Sequence, residues 1–367
     1  MSSQNTPGIK VKIMIKTQNV SVAMSGGIDS AVSAFLLQQN GYTVSGATMK
    51  VCKRLLADGS DATLTDIKDA REICDQLGIE HRIYNLENEF HDAVIHNFIE
   101  SYLCGETPNP CVVCNNFLKF GKLLDLEIEN GADYVATGHY ANIEKDVNGR
   151  LLLKKAKDSK KDQTYMLYGL SQDQLSRVLF PLGNLEKSEI REIAAQNGFI
   201  NAQKGDSQDI CFIPDGDYAS FIEKELGYKY PEGNYIDENG NILGKHRGVI
   251  HYTVGQRKGL GISMNKHIFV IGKDFKCNTV TLADEDRLFK RRVVINRVNL
   301  IPFDSFNGKI RVEAKIRYSQ NVAPAYAEMT GENEITLEFD EPQRAPAKGQ
   351  SAVLYDGDIV IGGGIIR

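Results

Sequence analysis

"AMSGGIDSAV", residues 23–32, decides how the first half of the chain folds. The apolar run VSVAM (20–24) leads into it as a strand, and an apolar-periodic run leaves it as a helix from Ser30. That helix stops at QNG, where Gly41 is the terminating signal. Between strand and helix, Gly26 and Gly27 let the backbone curl closely around an anion. The unpaired N–H groups and the dipole of a helix start favour negative charge at that point. Ser25 and Ser30 add hydroxyl donors, and Ser30 or Asp29 is expected to cap the helix. Asp29 beside an anion calls for a Mg²⁺ ion or a bound sugar in front of it. Neither GxxxxGK[ST] nor GxGxxG is present, which argues against γ-phosphoryl transfer and dinucleotide binding.

Outward from this loop, strand and helix patterns alternate. TVSGATM follows as a strand, then LTDIKDAREICDQLG as a helix closed by glycine, then HRIYNL, helices near 90–102 and 115–128, and ADYVATGHY. Such alternation implies a doubly wound, mostly parallel α/β sheet of Rossmann-like form. After about residue 213 the chain is dense in Gly, Pro and Asn, with only short strand-like pieces. From about 286, period-two segments (RRVVINRV, KIRVEAKIRY, EITLEF, SAVLY, DIVIGG) suggest a small β-barrel. The expected units are 1–213, catalytic α/β; 214–285, central and β-rich; and 286–367, a C-terminal β-barrel. A length of 367 residues, 42% apolar and 25% charged, suits two or three globular domains. No run approaches the roughly 18 apolar residues of a membrane span. The N-terminus, MSSQNTPGIKVKIMIK, lacks a secretory leader, and the chain reads as cytoplasmic with no membrane partner.

Seven cysteines in a chain of this size do not describe a disulfide scaffold. In a reducing compartment, cysteines that are not merely packed serve catalysis or metal binding. Two of them, Cys111 and Cys114, form a C-x-x-C in "CVVCNNFLKF" (111–120). The formal charge of −5 hides two basic clusters: five lysines in KKAKDSKK (154–161), and nine Lys/Arg against two acids between Arg287 and Tyr318. Solvated surface accounts for most such clusters.

SGGxDS at the first strand–helix junction resembles the signature of the PP-loop ATP pyrophosphatases, which release pyrophosphate to activate an oxygen as its adenylate. ETPNPCVVCNNFLKFG, ATGHYA, KDQTYMLY, DSQDICFI, HYTVGQRKGLGI, KIRYSQ and KGQSAVLYD narrow the resemblance to the bacterial tRNA-specific 2-thiouridylases (the MnmA family), from about residue 20 to the C-terminus.

The resemblance implies ATP with Mg²⁺ as cofactor and a tRNA with a wobble uridine as substrate. The C2 oxygen of that base is adenylated, and a protein-borne sulfur displaces AMP. It places the ATP loop at Ala23, Met24, Ser25, Gly26, Gly27, Ile28, Asp29 and Ser30, with Met49 near the adenine and Gly138 also lining the nucleotide. Cys114 matches the nucleophile and Cys211 the persulfide-bearing cysteine, and the two can pair as a disulfide when the cycle ends. RNA contacts map onto Asn109, Pro110, Cys111 and His139 at the target base, and onto Lys161, Asp162, Gln163, Arg317, Tyr318 and Gln350. The basic clusters become phosphate-positioning surfaces. The sulfur donor is a cysteine desulfurase, a relay protein or sulfide.

The chain departs from the family at Cys111, where many members carry Asp. Three converging thiols, Cys111, Cys114 and Cys211, open a second route for sulfur, on a four-iron iron–sulfur cluster, beside the persulfide–disulfide route. Cys52, Cys74, Cys104 and Cys277 take the bland reading of packed or surface thiols, although Cys52, in MKVCKR near the ATP loop, is the one whose role the sequence leaves open. A PP-loop amidating or argininosuccinate-type ligase, and a non-enzymatic nucleotide-binding iron–sulfur sensor, are the rival functions. Neither accounts for the late blocks.

Overall fold

The computed structural model describes residues 17–54, 60–199, 210–262 and 267–367. In chain order the strands are β1 Asn19–Ala23, β2 Thr43–Lys50, β3 His81–Asn85, β4 Tyr134–Ala136, β5 Asn142–Lys145, β6 Leu151–Lys154 and β7 Val178–Leu179. They continue with β8 Gly233–Ile236, β9 Ile242–His246, β10 Phe269–Asp274, β11 Thr279–Ala283, β12 Phe289–Leu300, β13 Lys309–Lys315, β14 Ala323–Gly331, β15 Glu334–Arg344, β16 Ser351–Asp356 and β17 Ile359–Ile366.

A parallel sheet in the order β3-β2-β1-β4-β7 forms the first layer. Val20, Ser21 and Val22 are all buried, because a central parallel strand is covered on both faces. Helix α1 (Ile28–Gln39) returns the chain to β2, and α2 (Ala62–Leu77) returns it to β3. The sheet then resumes at β4 on the other side of β1. This reversal of direction between β1 and β4 opens a crevice at their carboxyl ends, the place where open α/β sheets bind ligands. Residues 23–30 and 137–140 both lie there.

Several boundaries differ from the expectation. Helix α1 starts at Ile28 with Gly27 as N-cap, not at Ser30, and no side chain caps it. Ser30 instead donates from its Oγ back to the Gly27 carbonyl (2.9 Å), inside the first turn. The helical run expected at 115–128 spans 110–129, because Asn109 caps it through the Cys111 and Val112 amides and Pro110 takes the first position. Both thiols of the C-x-x-C therefore ride on a helix. The segment after 213 contains a helix that strand-like reading passed over, Tyr218–Leu226, capped by Asp217 and ended by Gly227 at φ 73°. A four-stranded sheet follows it, in the order β10-β11-β8-β9.

The last six strands, β12-β15-β14-β13-β16-β17, close on themselves through β12–β17 pairing, so the C-terminal unit is a barrel. Val293, Ile295, Ala314, Ala325, Ala327, Ile335, Leu337 and Leu354 fill it. The hairpin β5–β6 from the first half extends the barrel sheet through β6–β17 pairing. Behind it, Val112 and Phe120 share one core with Leu153, Tyr165, Leu167, Tyr168, Val353, Tyr355 and Val360. The C-x-x-C helix is thus packed against the barrel.

A single turn completes that docking. Lys348 accepts a hydrogen bond from Thr107 N (2.7 Å), and Gln350 Nε2 donates to Thr107 O (2.7 Å). Gly349 sits between them at φ 84°, and a Cβ there would lie 2.7 Å from Glu106 Cβ and 3.0 Å from Thr107 N. Gly349→Ala is therefore expected to cost about 1–3 kcal/mol, through the left-handed strain and the clash together. Thermal unfolding of the variant against wild type measures this as a fall in Tm, and an unchanged Tm would remove the clamp from the account.

Candidate active site

The loop 23–30 is shaped more by backbone than by side chains. Met24 and Ile28 bury their side chains in the core of the parallel sheet. Met24 has also committed its N–H to Ala47 O (2.8 Å) and its carbonyl to Thr48 Oγ1 (2.8 Å). What faces the crevice is the turn itself. Gly26 stands at φ 70°, Gly27 N donates to Ser25 Oγ (3.4 Å), and the first-turn amides of α1 have no intrahelical acceptor. The Ser25 and Ser30 hydroxyls lie 3.4 Å apart at the mouth.

Asp29 is met by two groups of the protein. Lys187 Nζ lies 2.8 Å and 2.9 Å from its two carboxylate oxygens, and Tyr140 OH donates to Oδ1 at 2.8 Å. Lys187 comes from helix Lys187–Gln196, which packs on α1, so the pair also pins that helix to the loop. Gly138 closes the crevice from β4. A Cβ there would meet Asp29 Cβ at 2.8 Å and Ser30 N at 3.1 Å, so only glycine allows this approach. Met49, on β2, packs half-buried against the cluster around Phe90 and Phe212.

Four thiols gather on the far side of that cluster. Cys111 and Cys211 are open to solvent within a cleft walled by protein, and Cys52 and Cys114 are half-buried. Burial pushes the Cys111 thiol up and the Cys114 thiol up to about 12, while the Lys119 cation pulls both the other way. Cys211 goes down to about 7, chiefly because Cys52 donates a hydrogen bond to it, with Lys119 and Arg54 adding positive charge. Cys52 is driven up by the same contact. Cys211 is thus the thiol that ionises near neutral pH, and the thiolate is the reactive form. The buried, inert reading of ICFI does not hold for it.

Lys119 is the residue sequence reading missed, and Cys52 the one whose role it left open. Lys119 sits in a π-helical stretch, Asn115–Leu123, whose widened turn brings residues five apart onto one side and so turns Lys119 towards Cys114. No sequence pattern announces such a bulge. Cys52 carried a weak signal, its nearness to the loop in "MKVCKR". Among the described residues, no three His, Cys, Asp or Glu side chains are placed to hold a metal ion. As placed, Cys111, Cys114 and Cys211 do not make a cluster-ligand set. Cys74 is buried in the core, whereas Cys104 and Cys277 are exposed.

The remaining expected residues are placed as follows. Asn109 Nδ2 reaches Met166 Sδ (3.5 Å) while its Oδ1 caps the C-x-x-C helix, and Pro110 is buried. His139 is sandwiched by Phe120 and Phe180, with Nδ1 2.7 Å from Thr137 Oγ1. Burial, and then Lys119, hold it well below the usual imidazole range, so it is neutral. Gln163 Oε1 accepts from Tyr140 N (3.0 Å), and Asp162 accepts from Ala156 N (3.0 Å) and Thr164 Oγ1 (2.7 Å). Lys161 stands beside them at the rim of the same turn.

Arg317, Tyr318 and Gln350 line a cavity of ≈ 240 Å³ together with Thr107, Thr253, Ser319 and Ala347. Arg317 Nη2 is held by the Ala345 and Val254 carbonyls (2.7 and 3.3 Å), which turns the guanidinium edge inward. All three sheets' segments therefore meet at this cavity.

Some members of the two basic clusters are tied to carboxylates. Lys154 pairs with Glu144 and Asp358, Lys157 with Glu189, Arg287 with Glu238, Lys309 with Glu338 and Arg311 with Asp340. Such exposed pairs contribute only about 0–1 kcal/mol each.

Three family models match successive stretches of the chain. They are a tRNA methyl transferase HUP domain over residues 18–215, a tRNA methyl transferase PRC-barrel domain over 219–284, and an aminomethyltransferase beta-barrel domain over 290–366. The chain is 48% identical to the tRNA-specific 2-thiouridylase MnmA of Clostridioides difficile over 358 residues, which is 96% of this chain and 99% of that one. It is 47% identical to the enzyme of the same name from Halothermothrix orenii, over 95% of this chain and 98% of that one. Among solved structures, the U34-tRNA thiolase NcsA from Methanococcus maripaludis with its [4Fe-4S] cluster matches at 20% identity and a TM-score of 0.34, covering 57% of this chain and 66% of that one. That likeness is too slight to bear on the chemistry here.

The electrostatics of the thiols are directly measurable. Alkylation of Cys211 by iodoacetamide, followed by peptide mass mapping against pH, is expected to show a midpoint near 7. Lys119→Met removes a cation that favours the thiolate, so the midpoint moves upward and Cys211 reacts more slowly at neutral pH. An unmoved midpoint would mean that Lys119 does not act on the thiols.

Proposed function

The chain belongs to the tRNA-specific 2-thiouridylase family and makes 2-thiouridine in tRNA; on that premise, we propose how its own residues carry the reaction. The observation that carries the reading is a glycine-shaped anion loop at the carboxyl end of β1, in a chain that also holds an exposed, ionisable Cys211. A pyrimidine carbonyl oxygen is a poor leaving group until it bears a phosphate, and ATP cleavage supplies one. Residues Ala23 to Ser30 cradle the polyphosphate through backbone amides and the Ser25 and Ser30 hydroxyls. Gly138 keeps the crevice open, and Met49 flanks the adenine side. Asp29, already neutralised by Lys187 and Tyr140, does not repel the nucleotide. Mg²⁺ with ATP would screen the remaining phosphate charge.

The target base of the tRNA enters the cavity beside Thr107, Arg317, Tyr318 and Gln350, after leaving its stack in the anticodon loop. Tyr318, 40% exposed, offers a ring for stacking, and Arg317 a cation for the flanking phosphate. Asn109, Pro110, Cys111 and neutral His139 form the floor on the thiol side. Lys161, Asp162 and Gln163 shape the rim.

Cys211, loaded with sulfane sulfur from the persulfide of a desulfurase or a relay protein, presents it to C2 and AMP departs. A second thiol must then attack the Cys211 Sγ to free the thiobase, and Cys114 is the nucleophile that the resemblance implies for that step. The persulfide route is preferred to an iron–sulfur cluster because the thiols are not grouped as a ligand set among the described residues.

Incubation with ATP, Mg²⁺, a persulfide donor and tRNA bearing a wobble uridine is expected to give AMP, pyrophosphate and 2-thiouridine in equal amounts, with protein stripped of iron. Cys211→Ser keeps AMP formation and loses thiouridine. If iron-free protein is inactive and iron reconstitution restores it, the persulfide reading fails. Gly138→Ala pushes on Asp29 and Ser30, and kcat/KM for ATP falls roughly ten- to a hundredfold, as small displacements in a reacting site do. A wild-type value would separate Gly138 from the nucleotide.

A further inference from the structure

The anion loop leaves β1 at the Met24 carbonyl, and that carbonyl is fixed from outside the loop. Thr48 Oγ1, on β2, donates to it at 2.8 Å, and His81 Nε2, at the start of β3, lies 2.7 Å from the same hydroxyl. A threonine hydroxyl has a single proton to give. With that proton on the Met24 carbonyl, which only accepts, the contact with His81 requires Nε2 to carry the hydrogen. Nδ1 is buried and meets no hydrogen-bond partner among the described residues, so a second proton on the ring would find no acceptor. Burial, and then the Arg71 cation, hold the imidazole below its usual range, which keeps it neutral with that one N–H. A Cβ at Gly46, two residues before Thr48, would lie 3.0 Å from Met24 Cγ and 3.6 Å from His81 Cδ2, so both side chains lie against the same face of β2.

The other side of the same peptide carries the chain of hydrogen bonds onward. Ser25 N donates to Ser30 Oγ (3.3 Å), and Ser30 Oγ donates to the Gly27 carbonyl (2.9 Å). The donors thus run in one direction, from the imidazole through Thr48, the Met24–Ser25 peptide and Ser30 to Gly27. Thr48 and Ser30 are buried, so water does not stand in for a lost link.

We propose that His81 is a positioning residue for the anion loop, acting through the Thr48 hydroxyl to hold the Met24–Ser25 peptide, and with it Ser25 and Ser30, in the orientation that receives the polyphosphate of ATP. The proposal rests on the ATP-loop reading above and adds to it a residue from outside the loop. Without the imidazole N–H, the Thr48 hydroxyl loses the donor that fixes its rotation, and the peptide is freer to turn. The loop still forms, because Met24 N keeps its bond to Ala47 O (2.8 Å). Its hydroxyls are then no longer set before the nucleotide arrives, and ordering them opposes binding. The loss falls on ATP and not on tRNA.

The test is steady-state AMP formation by the full-length protein with a persulfide donor and tRNA bearing a wobble uridine, with KM for ATP and KM for tRNA measured separately. His81→Phe keeps a ring of similar size and removes the N–H. Its KM for ATP is expected to rise roughly tenfold, the scale of one buried hydrogen bond, with KM for tRNA unchanged. His81→Gln, whose amide places an N–H near the position of Nε2, is expected to restore most of the ATP affinity. Thr48→Val cuts the next link and raises KM for ATP by a similar factor, and the variant carrying both His81→Phe and Thr48→Val is no worse than the worse single one. A wild-type KM for ATP in His81→Phe, equal losses for ATP and tRNA, a His81→Gln no better than His81→Phe, or factors that multiply in the double variant would each overturn the proposal. If His81→Phe behaves as wild type while Gly138→Ala still loses kcat/KM for ATP, the proposal alone falls. Wild-type behaviour of both takes the ATP-loop reading with it.

Discussion

The hydrogen bond from Thr107 N to the Lys348 carbonyl holds the molecule's two halves in working register. Parallel sheet and barrel each have a core of their own, and a third core is shared between them. The C-x-x-C helix begins three residues after Thr107, and its direction is set where the barrel turn grips the chain. Gly349 lets the two backbones approach, Gln350 repeats the grip on the Thr107 carbonyl, and Asn109 then caps the helix. The apolar seam through Val112, Phe120, Tyr165 and Val353 makes the arrangement rigid beneath the surface.

Charge is the second constraint on the cleft. The carboxylate at the anion loop and the thiolate at Cys211 each need a compensating positive group. Unit charges 4 Å apart interact by about 4 kcal/mol near a protein surface. The compensation is local and separately provided: Lys187 and Tyr140 for Asp29, Lys119 with the Cys52 thiol for Cys211. His139 stays neutral between two phenylalanines and adds no charge.

The local rules in the sequence were legible where one short segment specifies one structure. Strand, paired glycines and helix placed the anion loop, and Gly41 at φ 84° ended α1 as expected. Alternating apolar residues announced the barrel strands. Reading failed where a neighbour distant in sequence takes over. Ser30 looked like a cap and instead closes back on Gly27. Nothing near Asp29 in the sequence announced its partner, a lysine 158 residues away. The helix at Tyr218–Leu226 was hidden by the glycine- and proline-rich stretch around it, although Asp217 and Gly227 are ordinary end signals.

Taken alone, the sequence determined the loop, the order of strands and helices and the identity of the thiols, because backbone freedom at glycine and side-chain periodicity act over a few residues. Only the tertiary structure decided which thiol ionises. That depends on Cys52 from the end of β2, Lys119 from a π-helical turn and Arg54 from the strap before α2 converging on Cys211. Such convergence is set by packing across more than 150 residues of chain, and an electrostatic field carries no local pattern by which it could be read.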